Sequence, residues 1–184
     1  MTKPWETISQ FVAIRSPWLT LIGERLKDDR DRLLDYWRVE KADSAVVVTL
    51  HRDRFALPKP VYRPGVGEIT LDFPGGRVPT DTAPIEVVPE ILQRELGVGE
   101  DQIDRLLTLN SEGWLVNSSF SNQKLFGFVA EIRADAQLDD RLLWETRYQV
   151  NETKEIDRLL EALTCLQCRA VLLEWLKQRS ISID

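Results

Sequence analysis

Glu68-Ile69-Thr70-Leu71-Asp72-Phe73-Pro74-Gly75-Gly76 is the stretch on which the fold reading turns. Its strict alternation predicts a strand with Ile69, Leu71 and Phe73 on one face and Glu68, Thr70 and Asp72 on the other. The acid-lined face runs straight into Pro74-Gly75-Gly76, where paired glycines permit a tight turn and let backbone groups approach a ligand closely.

Upstream, Ser44 to Leu50 is a β-branched apolar run bounded by charge, the pattern of a strand buried on both faces. Arg54 to Tyr62 continues extended, because Pro58 and Pro60 forbid helix there. Earlier still, residues 18–27 and 33–40 alternate loosely around the charged turn 27–31, which predicts an opening hairpin or small sheet. Downstream, residues 84–96 have a helical pattern ending at Gly97, a natural C-cap, with the regular helix beginning as late as Pro89. Residues 103–110 and 124–133 read as strands flanking a polar loop, and 146–150 as a further short strand. From Thr153 onward apolar residues recur every three or four positions, as in a terminal helix. Strands, a mid-chain helix, more strands and a terminal helix make the class α+β with mixed sheets. The expected division is an N-terminal β extension over residues 1–40 and a main domain over 41–184.

The 184 residues carry 24 basic and 30 acidic side chains, for a net charge of −6. Residues 80–112 hold eight acids against two bases, which accounts for all of it. Net acidity without a Lys/Arg cluster argues against nucleic-acid binding. No apolar run approaches the length of a membrane span, and the opening MTKPWETISQ lacks the apolar core of a signal peptide, so a cytoplasmic protein is expected. Cys165 and Cys168 are the only cysteines and His51 the only histidine. They exclude a disulfide framework, and the pair reads as packing inside a late helix rather than as a zinc or redox site.

The run from Tyr62 to Arg77, followed by Arg94-Glu95-Leu96-Gly97-Val98, resembles the Nudix superfamily, and most closely its ADP-ribose pyrophosphatase branch. The resemblance extends to Lys124-Leu125-Phe126-Gly127-Phe128-Val129-Ala130, like the family's strand beyond its sequence box. It implies an α/β/α sandwich with mixed sheets, preceded by the small N-terminal β extension. It also implies metal-dependent cleavage of a nucleoside diphosphate linked to another group. With Gly76 as the first glycine of the box, Gly97 and Val98 fall on the closing pair without a gap. The box itself is eroded. Thr82, Glu90, Ile91 and Arg94 stand where the family has Glu, Arg, Glu and Glu, and only Glu95 keeps its acid.

The family holds Mg²⁺ or Mn²⁺ beside the diphosphate with carboxylates one helical turn apart, and Ile91 supplies none. The resemblance therefore leaves Glu95 and the Gly75 carbonyl as candidate metal ligands, with Asp72 or Glu90 as substitute catalytic acids. Glu95 falls within the apolar arc of its helix, so the alternative to a metal is an ion pair with an arginine such as Arg77. Glu90 and Arg94, four apart, read more simply as a surface pair. Asp139, Asp140 and Glu145 lie where such enzymes often keep a loop base. Arg63, Gly76 and Arg77 are candidate phosphate contacts, since a guanidinium is shaped for that anion. Trp114, Asn117 and Gln123, in a loop rich in amides, hydroxyls and aromatics, are candidates for stacking a base and binding a ribose. Two functions stay open: a hydrolase using Mg²⁺ or Mn²⁺, or a catalytically inactive module that binds or senses a nucleotide-like small molecule. A homodimer through the N-terminal strands is a further possibility.

Overall fold

The computed structural model describes residues 3–181, which fall into two compact units. The first runs to Asp43 and takes in Leu115–Lys124, and the second holds Ser44–Trp114 and the chain from Leu125. Among the described residues no helix is long and apolar enough to cross a membrane.

In the first unit β1 (Glu6–Arg15), β2 (Thr20–Lys27) and β3 (Leu33–Glu40) form an antiparallel sheet with β2 in the middle. The charged turn is held by the buried Asp28, whose carboxylate accepts the backbone N–H groups of Arg30 and Arg32 and the Arg32 guanidinium. The sequence pattern missed β1 because nine of its ten residues are exposed, so no face alternates towards a core. On β2 the buried Glu24 accepts Nε and Nη2 of Arg38 from β3, at 2.9 and 3.1 Å. Those hydrogen bonds outweigh burial and hold the Glu24 carboxyl below its ordinary value of 4.5. A depressed folded pKa stabilises the native state above the unfolded value, and that contribution is lost as pH falls through the folded one. The stability difference between the parent and Glu24→Gln, from urea unfolding, should therefore be level near neutrality and shrink as pH drops below 4.5.

In the second unit β4 (Asp43–His51), β5 (Arg54–Phe55), β8 (Gly75–Val78), β9 (Ile103–Thr108), β10 (Trp114–Leu115) and β11 (Lys124–Ile132) form a six-stranded sheet. A separate hairpin joins β6 (Val61–Arg63) to β7 (Glu68–Thr70). The helices are α1 (Val88–Leu96), α2 (Thr153–Ala162) and α3 (Leu166–Ile181). At the centre β4 and β11 run parallel, with Phe128 opposite Val47, while β9 lies antiparallel on β11. The run expected to be buried on both faces is so, Ala45 to Val48 all being buried. Period-2 side chains separate the two faces. Ala45, Val47, Phe126, Phe128 and Ala130 pack with Val88, Ile91, Leu92 and Leu96 of α1. Gly127 points the other way, and a Cβ there would lie 3.2 Å from both γ-carbons of Val171 on α3, so glycine lets that helix approach closely. Helices on both faces of a mixed sheet are the predicted α+β sandwich.

Four local expectations are corrected. The strand over 68–73 stops at Thr70, and Ile69 is 71% exposed while Leu71 and Phe73 are buried, because the hairpin leaves the sheet before the chain turns inward. Pro74-Gly75-Gly76 leads into β8, and Val47 N–H bonds to the Pro74 carbonyl at 2.9 Å. Residues 146–150 form only an isolated bridge, between Gln149 and Arg54. The terminal helix is two helices, broken at Leu163–Cys165, where Arg169 of α3 donates back to the carbonyls of Leu160 and Leu163. The α1 boundary settles the Pro89 question: proline sits in the first turn, where its missing N–H costs nothing, and Gly97 closes the helix at φ 69°.

Candidate functional site

The break between α2 and α3 matters because it opens a cleft. Its space, about 470 Å³, lies in the second unit among the start of β4, the β6–β7 hairpin, the Asp72–Gly76 segment and the start of α3. Ser44, Arg63, Glu68, Asp72, Cys165 and Cys168 bring its polar chemistry.

Asp72 is at the centre of that chemistry, with a side chain only 11% exposed. Its Oδ2 accepts Nε and Nη2 of Arg63 at 2.9 and 2.8 Å and the Thr70 hydroxyl at 2.9 Å. Oδ1 is 3.8 Å from Cys168 Sγ, whose thiol donates to it, and the Phe73 N–H donates to the same sulfur at 3.4 Å. Cys165 precedes the first turn of α3 rather than lying inside a helix, as the sequence pattern had it. The adjacent Cys168 thiol, with the backbone N–H groups of Cys168 and Gln167, pulls the Cys165 thiol down to about 6. The Cys168 thiol moves up instead, through its side-chain interaction with Cys165, through burial and beside the negative Cys165 and Asp72.

On the other side of β8, Arg94 joins two groups that the sequence had set apart. Its Nη2 lies 2.9 Å from the Gly75 carbonyl oxygen and 2.9 Å from Glu95 Oε1. The Glu95 side chain is 25% exposed, and it forms an ion pair with an arginine, its own neighbour Arg94 in the helix. Glu90 is exposed and does not pair with Arg94.

No family profile and no curated protein matches the chain. Among solved structures it is similar to the crystal structure of an ADP compounds hydrolase, with a TM-score of 0.76 and 18% identity over 97% of each chain. The fold is that of the Nudix hydrolases. Arg63, Asp72, Gly75 and Gly76 gather on one cleft of this Nudix fold. Glu95 and Glu90 are not among its lining residues, and Arg77 is exposed. Trp114 is half-buried, against the face of β11 that carries Gly127. Asn117 and Gln123 belong to the first unit, where they serve local structure. The Asn117 side chain accepts the Ser119 hydroxyl, and Gln123, with its side chain buried, accepts the Val116 N–H through its backbone carbonyl. Asp139 accepts Arg141, whose guanidinium holds that carboxyl down at about 2, far from the range of a general base.

The Mg²⁺ that a Nudix fold implies does not fit the box residues here. Ile91, one turn before Glu95, is 2% exposed in the core and carries no ligand atom. The two oxygens that remain, on Gly75 and Glu95, are bridged by a guanidinium nitrogen. Sequence reasoning missed Arg94 in this role and missed both cysteines. The signal for Arg94 was its place at a position where the sequence resemblance implies a glutamate.

Proposed function

We propose that this Nudix-fold protein binds a nucleoside diphosphate linked to another moiety, an ADP-ribose-like ligand, without cleaving it through a box-bound Mg²⁺. The observation that carries this reading is Arg94 Nη2 standing 2.9 Å from both Gly75 O and Glu95 Oε1. A fixed +1 charge there satisfies the two acceptors but has no open position to polarise a phosphoryl oxygen or activate water. The eroded box is thus a structural ion pair, and the cleft keeps a binding role. A volume of about 470 Å³ suits a nucleotide-sized ligand. Arg63 is 49% exposed and engages Asp72 through only part of its donor fork, leaving further N–H groups for a phosphate. Gly76 lines the same cleft and offers backbone approach. Self-association through the N-terminal sheet is part of the proposal, supported by Ile8, Phe11 and Ile14 exposed along β1.

Incubating the pure protein with ADP-ribose and nucleoside diphosphate sugars, with Mg²⁺ or Mn²⁺ and with chelator, tests both functions at once. The expected result is a ligand-dependent rise in melting temperature, reduced in Arg63→Ala, with no monophosphate released on chromatography. Metal-dependent release of two monophosphates overturns this reading and returns hydrolysis to first place, with Asp72 and Glu90 as the replacement acids to mutate.

A further inference from the structure

The cleft holds a second arrangement, independent of any nucleotide, in the three groups that converge behind Arg63. One carboxylate oxygen of Asp72 and the sulfurs of Cys165 and Cys168 all lie within 4.8 Å of one another. We propose that Asp72, Cys165 and Cys168 form a three-ligand site for a thiophilic divalent cation of the zinc class, its fourth position open to the cleft.

Three features of the geometry support this. First, the three ligand atoms are gathered within 4.8 Å, and one pair already stands at the spacing of a coordination shell. Ligand atoms around a tetrahedral zinc, at about 2.3 Å to sulfur and about 2.0–2.2 Å to oxygen, stand roughly 3.5–3.8 Å apart, and the Asp72 Oδ1 to Cys168 Sγ distance is 3.8 Å. Second, the carboxylate is divided between two tasks. Oδ2 is occupied by Arg63 and Thr70, while Oδ1 is turned to the thiols. Such outer partners orient a ligand and set its basicity in metal sites. Third, one sulfur is placed for thiolate and the other is oriented. Cys165 sits before the first turn of α3, and the Phe73 N–H fixes Cys168 Sγ, whose proton an incoming cation replaces. Two thiolates and a carboxylate cannot all ionise together in so closed a place without a cation, and soft sulfur selects zinc over magnesium. Binding therefore displaces the proton now shared between Cys168 and Asp72. With three protein ligands, the last position falls to water or to an oxygen of a cleft ligand.

The test uses the full chain, reduced with a phosphine, stripped of metal and titrated with Co²⁺ as a spectroscopic probe. The expected result is one equivalent of Co²⁺ giving a near-ultraviolet sulfur-to-cobalt band and tetrahedral visible bands, both bleached by Zn²⁺. Cys165→Ser, which removes one of the two sulfur ligands, should cut the sulfur band to about half or less and weaken Co²⁺ binding. Asp72→Asn, checked for native circular dichroism, should weaken Co²⁺ by at least about tenfold. Cys165 is only half-buried, so its variant serves even where Cys168→Ser does not fold. Absence of the band from reduced, folded protein overturns the proposal, as does a band undiminished in Cys165→Ser or an affinity unmoved by Asp72→Asn. If the reduced chain binds no cobalt and the two cysteines instead form a disulfide on mild oxidation, the pair is a redox couple and the metal site is refuted.

Discussion

Replacing Arg94 with glutamate should turn a protein whose stability is indifferent to Mg²⁺ into one that depends on it. In the parent the guanidinium supplies the positive charge between Gly75 O and Glu95 Oε1, so added Mg²⁺ has nothing to neutralise there. Arg94→Glu removes two charge-assisted hydrogen bonds and sets a second carboxylate beside the first. Hydrogen bonds to a charged group contribute about 1.5–3 kcal/mol when well shielded, but the Arg94 side chain is 50% exposed and the figure must be discounted for solvent. A net loss of about 2 kcal/mol is expected, which for a chain of this size lowers the melting temperature by roughly 4–8 °C. Two carboxylates and a carbonyl then make a hard oxygen site, so millimolar Mg²⁺ should recover much of the loss while leaving the parent unchanged. Differential scanning fluorimetry with Mg²⁺ and with chelator reads both effects. A variant as stable as the parent, with or without metal, would show that Arg94 does not hold the cation position.

Phe128→Ala should have the largest effect on stability. Phe128 is 1% exposed in the middle of β11, opposite Val47 on one side and Thr108 on the other, and it packs among the core residues under α1. Its neighbours Val47 on β4 and Val88 and Leu92 on α1 are fully buried and fixed on two different elements, so they have little freedom to collapse into the space left. Loss of the ring then costs transfer free energy and leaves a cavity, about 3–5 kcal/mol together. Urea unfolding should show a much lower midpoint with a similar slope. A change below about 1 kcal/mol would mean that α1 relaxes onto the sheet, against the packing described.

How much of this was legible in the sequence depended on whether the deciding contact was local. Ala45 to Val48 announced a doubly buried strand because four adjacent small and β-branched residues fit nothing else. Gly97 announced a helix end because the left-handed cap at φ 69° favours glycine. Ile69 misled, since alternation reports which residues share a face and not whether that face is covered, and here it is 71% exposed. The single-helix reading of residues 153 onward failed for a related reason. The apolar repeat continues across Leu163–Cys165 although the backbone does not, and the break is sealed by an arginine further along the chain. At the site, Arg63 and Asp72 were visible as residues but their pairing was not. Cys168 lies 96 positions from the carboxylate it faces, so spacing rules that look for nearby ligands found two cysteines and stopped.

The parallel pairing of β4 with β11 also sets the order in which this protein must assemble. Residues paired at the centre of the sheet stand 81 positions apart in the chain, as Ser44 and Leu125 do. Closing so long a loop costs entropy before any contact repays it, which places this sheet among the slow, high-contact-order topologies. During synthesis the Ala45-Val46-Val47-Val48 strand emerges long before its central partner exists, exposing an apolar edge to other nascent chains. The antiparallel pairing of β4 with β5 spans only a few residues and can form at once, but it covers the end of the opposite edge, at Leu50 and His51, and leaves the side that awaits β11 open.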